Sequence, residues 1–183
     1  MIRHLPNLLS ALRLLAAPLA AWLIVHEHDI AAVLTFGAAG ASDGLDGFIA
    51  RRWGVTSAFG AWLDPAADKL LMLFCFSALY LIGVTPFWLL LLVVARDLAI
   101  VAGWLLISLL MPQPPSSPLF IGKLSTTVQI LYIFTLLLLL SFDVEAPRQV
   151  QAAAWICGLF AVLSAAAYAG VFLREVFSGK RTA

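Results

Sequence analysis

Six apolar stretches, at approximately residues 8–26, 30–50, 64–83, 87–110, 120–141 and 150–173, constrain this chain more than any other feature it carries. Each is near the roughly 20 residues a helix needs to cross about 30 Å of hydrocarbon. Lipid offers no partner to backbone N–H and C=O groups, so a spanning segment satisfies them internally, as a helix or within a closed barrel. The stretches far exceed the roughly 9–11 residues of a barrel strand, which excludes a transmembrane β-barrel. The expected fold class is all-α: a polytopic membrane protein with six transmembrane helices, residues 1–183 forming one domain. Composition agrees, because 63% of the 183 residues are hydrophobic and 11% charged, where water-soluble domains carry about 25% charged residues. The lipid bilayer is the expected solvent.

The breaks between stretches carry turn chemistry: Glu27 to Asp29, Gly83 to Pro86, Pro112 to Pro118 and Asp143 to Arg148. Cations near the helix ends fall unequally on the two sides. Arg3, Arg51, Arg52, Lys123, Arg174, Lys180 and Arg181 lie on one side and Arg148 alone on the other. The positive-inside bias then places both termini in the cytoplasm. Arg3 followed by apolar and small residues imitates a signal peptide, but Arg13 interrupts the would-be apolar core and the stretch runs on, so a retained helix is expected. A net charge of +1, with no Lys/Arg-rich stripe, argues against a nucleic-acid partner. Cys75 and Cys157 sit in separate apolar runs without metal-ligand spacing and are expected to be buried small hydrophobes.

The acidic residues are the informative minority. Of ten, four fall within 26 residues: Asp43, Asp46, Asp64 and Asp68, at the facing ends of the second and third stretches. The first pair is spaced i,i+3 and the second i,i+4, so each pair shares a helical face. Four carboxylates gathered at one site repel one another unless cations intervene. All-oxygen ligation suits a hard divalent ion, Mg²⁺ or Mn²⁺ (or Ca²⁺), and two such ions sharing carboxylates make a clamp for a diphosphate. Gly44, Gly47, Ala50, Gly54, Gly60 and Ala61 leave space beside the acids, and Arg51 offers a guanidinium for phosphate oxygens. The combination describes a phosphate-ester substrate. Arg52 reads more simply as a topology marker.

As a string, Asp43-x-x-Asp46-Gly47-x-x-Ala50-Arg51, eight residues, then Gly60-x-x-x-Asp64-x-x-x-Asp68 resembles the signature of the CDP-alcohol phosphatidyltransferase family, with every position filled. The similarity extends to the six-helix layout, to Pro6-Asn7-Leu8-Leu9-Ser10-x-x-Arg13 and to Gly122-Lys123-x-Ser125-Thr126. The resemblance implies that Asp43, Asp46, Asp64 and Asp68 bind two Mg²⁺ or Mn²⁺ ions, Asp68 being also the general base. It implies that Gly47, Ala50, Arg51 and Gly60 line the site for the cytidine diphosphate part of CDP-diacylglycerol. The reaction it implies is attack of an acceptor hydroxyl on the lipid-side phosphorus with departure of CMP, at the cytoplasmic face of a bacterial inner membrane.

Within the family, Arg96-Asp97 and the stretch Phe120–Gln129 resemble the branch that uses glycerol-type acceptors, which implies acceptor binding by Arg96, Lys123 and Ser125. Phosphatidylglycerophosphate synthases, which take sn-glycerol 3-phosphate, usually show a second lysine where this chain has Ser125. The missing cation favours the cardiolipin synthases of this fold, whose acceptor is phosphatidylglycerol.

Rival readings weigh less. A divalent-cation transporter predicts acids spread through the membrane depth, whereas these sit at one end beside an arginine that would repel the cation. An intramembrane prenyltransferase also binds diphosphate through Asp-rich motifs, but lacks the Gly-x-x-Ala-Arg insert. His26 and His28 flank Glu27 in the opposite turn and read as a solvated loop; Trp22, Trp88, Trp104 and Trp155 read as interfacial anchors or packing. Small residues at fourfold spacing, Gly40 with Gly44 and Ala166 with Gly170, allow close helix approach or a homodimer.

Overall fold

Each apolar stretch becomes one helix, because unbroken runs of Leu, Ala and Val propagate α-structure and Gly, Pro and Asp stop it. The computed structural model describes residues 5–53, 58–110 and 119–179, and the side chains of 11–42, 65–106, 109 and 119–174. The described residues form six α-helices: α1 (Leu5–Val25), α2 (Asp29–Trp53), α3 (Ala58–Leu81), α4 (Phe87–Leu110), α5 (Phe120–Ser141) and α6 (Pro147–Gly179). Helices α1, α2, α3 and α6 outrun the apolar pattern, most of all α3, which begins six residues before Asp64, and α6, which continues past residue 173.

Among the described residues three helices hold spans long and apolar enough to cross a membrane: Phe87–Leu106, Phe120–Ser141 and Pro147–Arg174. Helices α1 and α2 contribute shorter apolar stretches among the described residues, Ala11–Val25 and Asp29–Ser42. Leu15, Leu34, Leu98, Leu109 and Phe120 are exposed large apolar side chains. Apolar surface on this scale would be a liability in water and is at home in lipid. The protein is integral to a membrane.

The chain divides into two compact units, Met1–Thr85 with Ile133–Ala146, and Pro86–Tyr132 with Pro147–Ala183. In the first unit α1 packs against both α2 and α3. Its buried face is built from small side chains, Ala17 and Ala20, with Ile24, while Phe36 of α2 and Cys75, Phe76 and Leu79 of α3 are buried in the same unit. Small residues let helix backbones approach closely where lipid offers no hydrophobic drive for association.

Helices α1, α3 and α5 all end in the same left-handed cap. Glu27 (φ 59°), Gly83 (φ 79°) and Asp143 (φ 52°) take the left-handed conformation. The next N–H reaches back five residues in each: His28 to Leu23, Val84 to Leu79 and Val144 to Leu139, at 2.9–3.0 Å. These are Schellman turns, which satisfy carbonyls that a helix end leaves orphaned.

In the second unit α4 packs against α6. Trp88 stacks on Trp155 with ring centroids 4.6 Å apart and planes 28° off parallel. A Cβ on Gly158 would lie 2.7 Å from the Trp88 ring, so only glycine admits the indole there. Cys75 and Cys157 are buried free thiols, as expected of small hydrophobes.

Candidate functional site

The four aspartates of the signature lie on helical backbone, residues 43 and 46 on α2 and residues 64 and 68 on α3. The side chains of Asp43, Asp46, Gly47, Ala50, Arg51, Gly60 and Asp64 fall outside the described residues. Asp68 is described, and its surroundings are specific. Its Oδ1 accepts a hydrogen bond from Arg13 Nη1 of α1 at 2.7 Å, an ion pair across 55 residues of chain.

The exposures of the two partners differ sharply. The Arg13 side chain is wholly buried and that of Asp68 is 44% exposed. A guanidinium withdrawn from water needs an anionic partner, because an unpaired buried charge costs several kcal/mol. Asp68 supplies such an anion to Arg13. The carboxylate in turn is held by a charge-assisted bond while it keeps access to solvent and solutes. Next to it, Ala67 is fully buried, which seats this turn of α3 in the first unit. The donor chemistry of the four aspartates, carboxylate oxygens only, fits a hard divalent cation.

The acceptor-side expectations fall in the second unit. Arg96 of α4 is 4% exposed, and each of its three guanidinium nitrogens bonds a protein group. Nε and Nη2 donate to Ser164 Oγ of α6 at 3.1 and 2.7 Å, Nη2 donates to the Gly122 carbonyl of α5 at 3.3 Å, and Nη1 pairs with Asp97 Oδ1 at 2.6 Å. Lys123 is exposed. Ser125 is fully buried and its Oγ has no hydrogen-bond partner; one turn on, the same holds for both amide atoms of buried Gln129. Tyr168 Oη of α6 accepts the Leu119 N–H at 3.3 Å.

Elsewhere the weaker readings resolve simply. His26 and His28 are exposed in the turn after α1, with His26 Nδ1 within 2.8 Å of the Trp22 carbonyl and its ring stacked on the Trp22 indole. Asp29 beside them has its carboxyl pushed above the usual range by burial and then by the neighbouring charges of Glu27 and Asp143. An added Cβ at Gly40 or Gly170 would meet nothing within 4 Å, so both lie on open faces.

Three residues matter to these arrangements, and the sequence marked one of them. Arg13 is a lone cation inside an apolar stretch, which marks it for a buried partner without naming one. Ser164 and Tyr168 have no sequence signal; they matter because α6 brings them to Arg96 and to the start of α5.

Residues 3–167 match the family model described as CDP-alcohol phosphatidyltransferase. The chain is 32% identical, over 94% of its length, to CDP-diacylglycerol--glycerol-3-phosphate 3-phosphatidyltransferase 1, chloroplastic, of Oryza sativa subsp. japonica. It is 38% identical, over 74% of its length, to cardiolipin synthase (CMP-forming) of Streptomyces coelicolor. It spans less than two thirds of either relative, 58% and 65% respectively. A third relative, the probable phosphatidylglycerophosphate synthase of Mycobacterium tuberculosis, is 31% identical over 100% of this chain and 88% of its own length.

Proposed function

This chain belongs to the CDP-alcohol phosphatidyltransferase family, and from that premise we propose that it moves a phosphatidyl group from CDP-diacylglycerol to a glycerol-type hydroxyl, releasing CMP. The acceptor is phosphatidylglycerol, which makes the product cardiolipin. The observation that carries this reading is the placement of Asp68, the last position of the signature, held by Arg13 yet open at its surface.

Asp68 takes the proton from the acceptor hydroxyl, whose oxygen forms a new bond to the lipid-side phosphorus while the bond from that phosphorus to CMP breaks. The proton then passes from Asp68 to solvent. Arg13 holds the carboxylate in one orientation during this transfer. Two Mg²⁺ or Mn²⁺ ions held by Asp43, Asp46, Asp64 and Asp68 would supply neutralisation of the diphosphate and of the departing CMP. Gly47, Ala50 and Gly60 leave room for the cytidine diphosphate, and Arg51 offers it a bidentate cation.

Lys123, exposed on α5, takes the acceptor, and buried Ser125 and Arg96 shape the turn that carries it. Ser125 favours phosphatidylglycerol, since a neutral side chain stands where a second cation would serve a phosphomonoester. A second reading, sn-glycerol 3-phosphate as acceptor, is favoured by exposed Lys123 and by the similarity to 88% of the mycobacterial protein. In both readings residues 1–183 act as one domain with six spans and cytoplasmic termini, at the cytoplasmic face of a bacterial inner membrane, in keeping with the distribution of Arg and Lys. The open faces at Gly40 and Gly170 offer close approach for a second copy.

The test is an acceptor panel. Purified protein in lipid–detergent micelles is given CDP-diacylglycerol, Mg²⁺ or Mn²⁺ and either phosphatidylglycerol or glycerol 3-phosphate, with a chelator as control. Faster CMP release with phosphatidylglycerol is the expected result. The opposite preference selects the second reading, and no CMP with either acceptor overturns both.

A further inference from the structure

The contacts around the start of α5 assign a role to Arg96 different from touching substrate. Resting on the reading that α5 serves the acceptor, we propose that Arg96 is a positioning residue: with Ser164 and Tyr168 it clamps the first turn of α5, the turn that carries Lys123 and leads to Ser125.

A guanidinium has five N–H donors and no acceptor. Arg96 makes four hydrogen bonds through its three nitrogens, two to Ser164 Oγ and one each to the Gly122 carbonyl and Asp97. At 4% exposure, the group leaves little surface for a ligand. Its reach to Gly122 fixes a backbone carbonyl at the start of α5, and the same oxygen also accepts from Thr126 Oγ1 at 3.2 Å. Tyr168 holds the turn from α6. Its Oη accepts the Leu119 N–H, one of the donors that a helix start leaves orphaned.

The approach of Tyr168 is close enough to dictate a residue type. A Cβ at position 122 would stand 2.7 Å from Tyr168 Oη and 2.9 Å from its Cε2, so Gly122 is the residue that lets the ring sit there. The clamp holds backbone groups of α5 and leaves the neighbouring side chains out of it. Lys123 is exposed and Ser125 Oγ has no partner. Such an arrangement sets where the exposed Lys123 side chain stands without competing for what it binds.

The experiment compares Ser164→Ala, Tyr168→Phe, Arg96→Lys and Lys123→Ala with the parent protein. For each, KM is measured separately for the acceptor and for CDP-diacylglycerol, together with the thermal midpoint in micelles. Ser164→Ala and Arg96→Lys are expected to raise the acceptor KM about fivefold to thirtyfold, in line with the loss of one or two buried hydrogen bonds, and to leave the CDP-diacylglycerol KM within about twofold. Arg96→Lys keeps the charge and loses the fork, so retention of normal acceptor KM in that variant would mean direct charge contact and would overturn the clamp. Both KM values rising together with a lower midpoint would reduce the network to a structural role, which also overturns it. If Lys123→Ala raises the acceptor KM and Ser164→Ala does not, the clamp fails while the acceptor placement stands. If neither changes it, both fail.

Discussion

Arg13 Nη1 and Asp68 Oδ1 stand 2.7 Å apart, and through them α1 reaches the last aspartate of the signature. The pair joins a cation with no access to water to an anion that retains it. On the proposed role of Asp68 as base, that asymmetry gives α1 a part in the chemistry without making any of its residues a participant in bond changes.

Replacing Arg13 tests that part. Arg13→Met should lower kcat by about 10- to 100-fold, the order of loss expected when a reacting group is misplaced by about 1 Å. It should also lower stability by about 1–3 kcal/mol through loss of a charge-assisted bond. Single-turnover CMP release together with thermal melting in micelles separates the two effects. A variant that melts lower but turns over normally would show that the pair only fastens α1 to α3.

Asp68→Asn removes the proposed base while keeping the side chain's shape and one hydrogen-bond acceptor. CMP release should fall about 10²- to 10⁴-fold, the usual range for general-base catalysis, with helicity by circular dichroism unchanged. Chelation should abolish release in the parent protein, and Mg²⁺ or Mn²⁺ should restore it better than Zn²⁺, whose preference is for nitrogen and sulfur ligands. Normal turnover by the asparagine variant would end the assignment of Asp68.

Gly122→Ala places a methyl group against the Tyr168 ring. Overpacking of this kind costs about 1–3 kcal/mol, and displacement of the ring removes the cap on Leu119. Pairing the change with Tyr168→Ala should recover part of the loss, giving a double variant more stable than the sum of the singles predicts. Strict additivity in the melting temperatures would count against the contact.

Gln129→Leu makes an unusual demand of a buried polar residue: that its removal be harmless. Both amide atoms lack partners, so an apolar side chain of similar size should leave stability unchanged or raise it by up to about 1 kcal/mol. Thermal melting without substrates decides the matter. A drop of more than about 1 kcal/mol would reveal a hydrogen bond that the amide makes in the membrane.

The sequence alone carried the membrane setting, the all-helical class and the register of the aspartates. These are local properties. Hydropathy over about 20 residues follows from composition, and i,i+3 or i,i+4 spacing fixes a shared face once a helix forms. The turns after α1, α3 and α5 were legible too, since Glu27, Gly83 and Asp143 stand at the left-handed caps among the turn residues first marked as breaks. What was not legible is which side of each helix faces the protein. In a soluble helix a polar face marks the outside, but here lipid and core are both apolar, so the rotation of a helix about its axis leaves little trace in its pattern. Only the tertiary structure brings Arg13 to Asp68, and Arg96 to Ser164 and Gly122, because each of those pairings depends on helix rotations and chain separations that no local window contains.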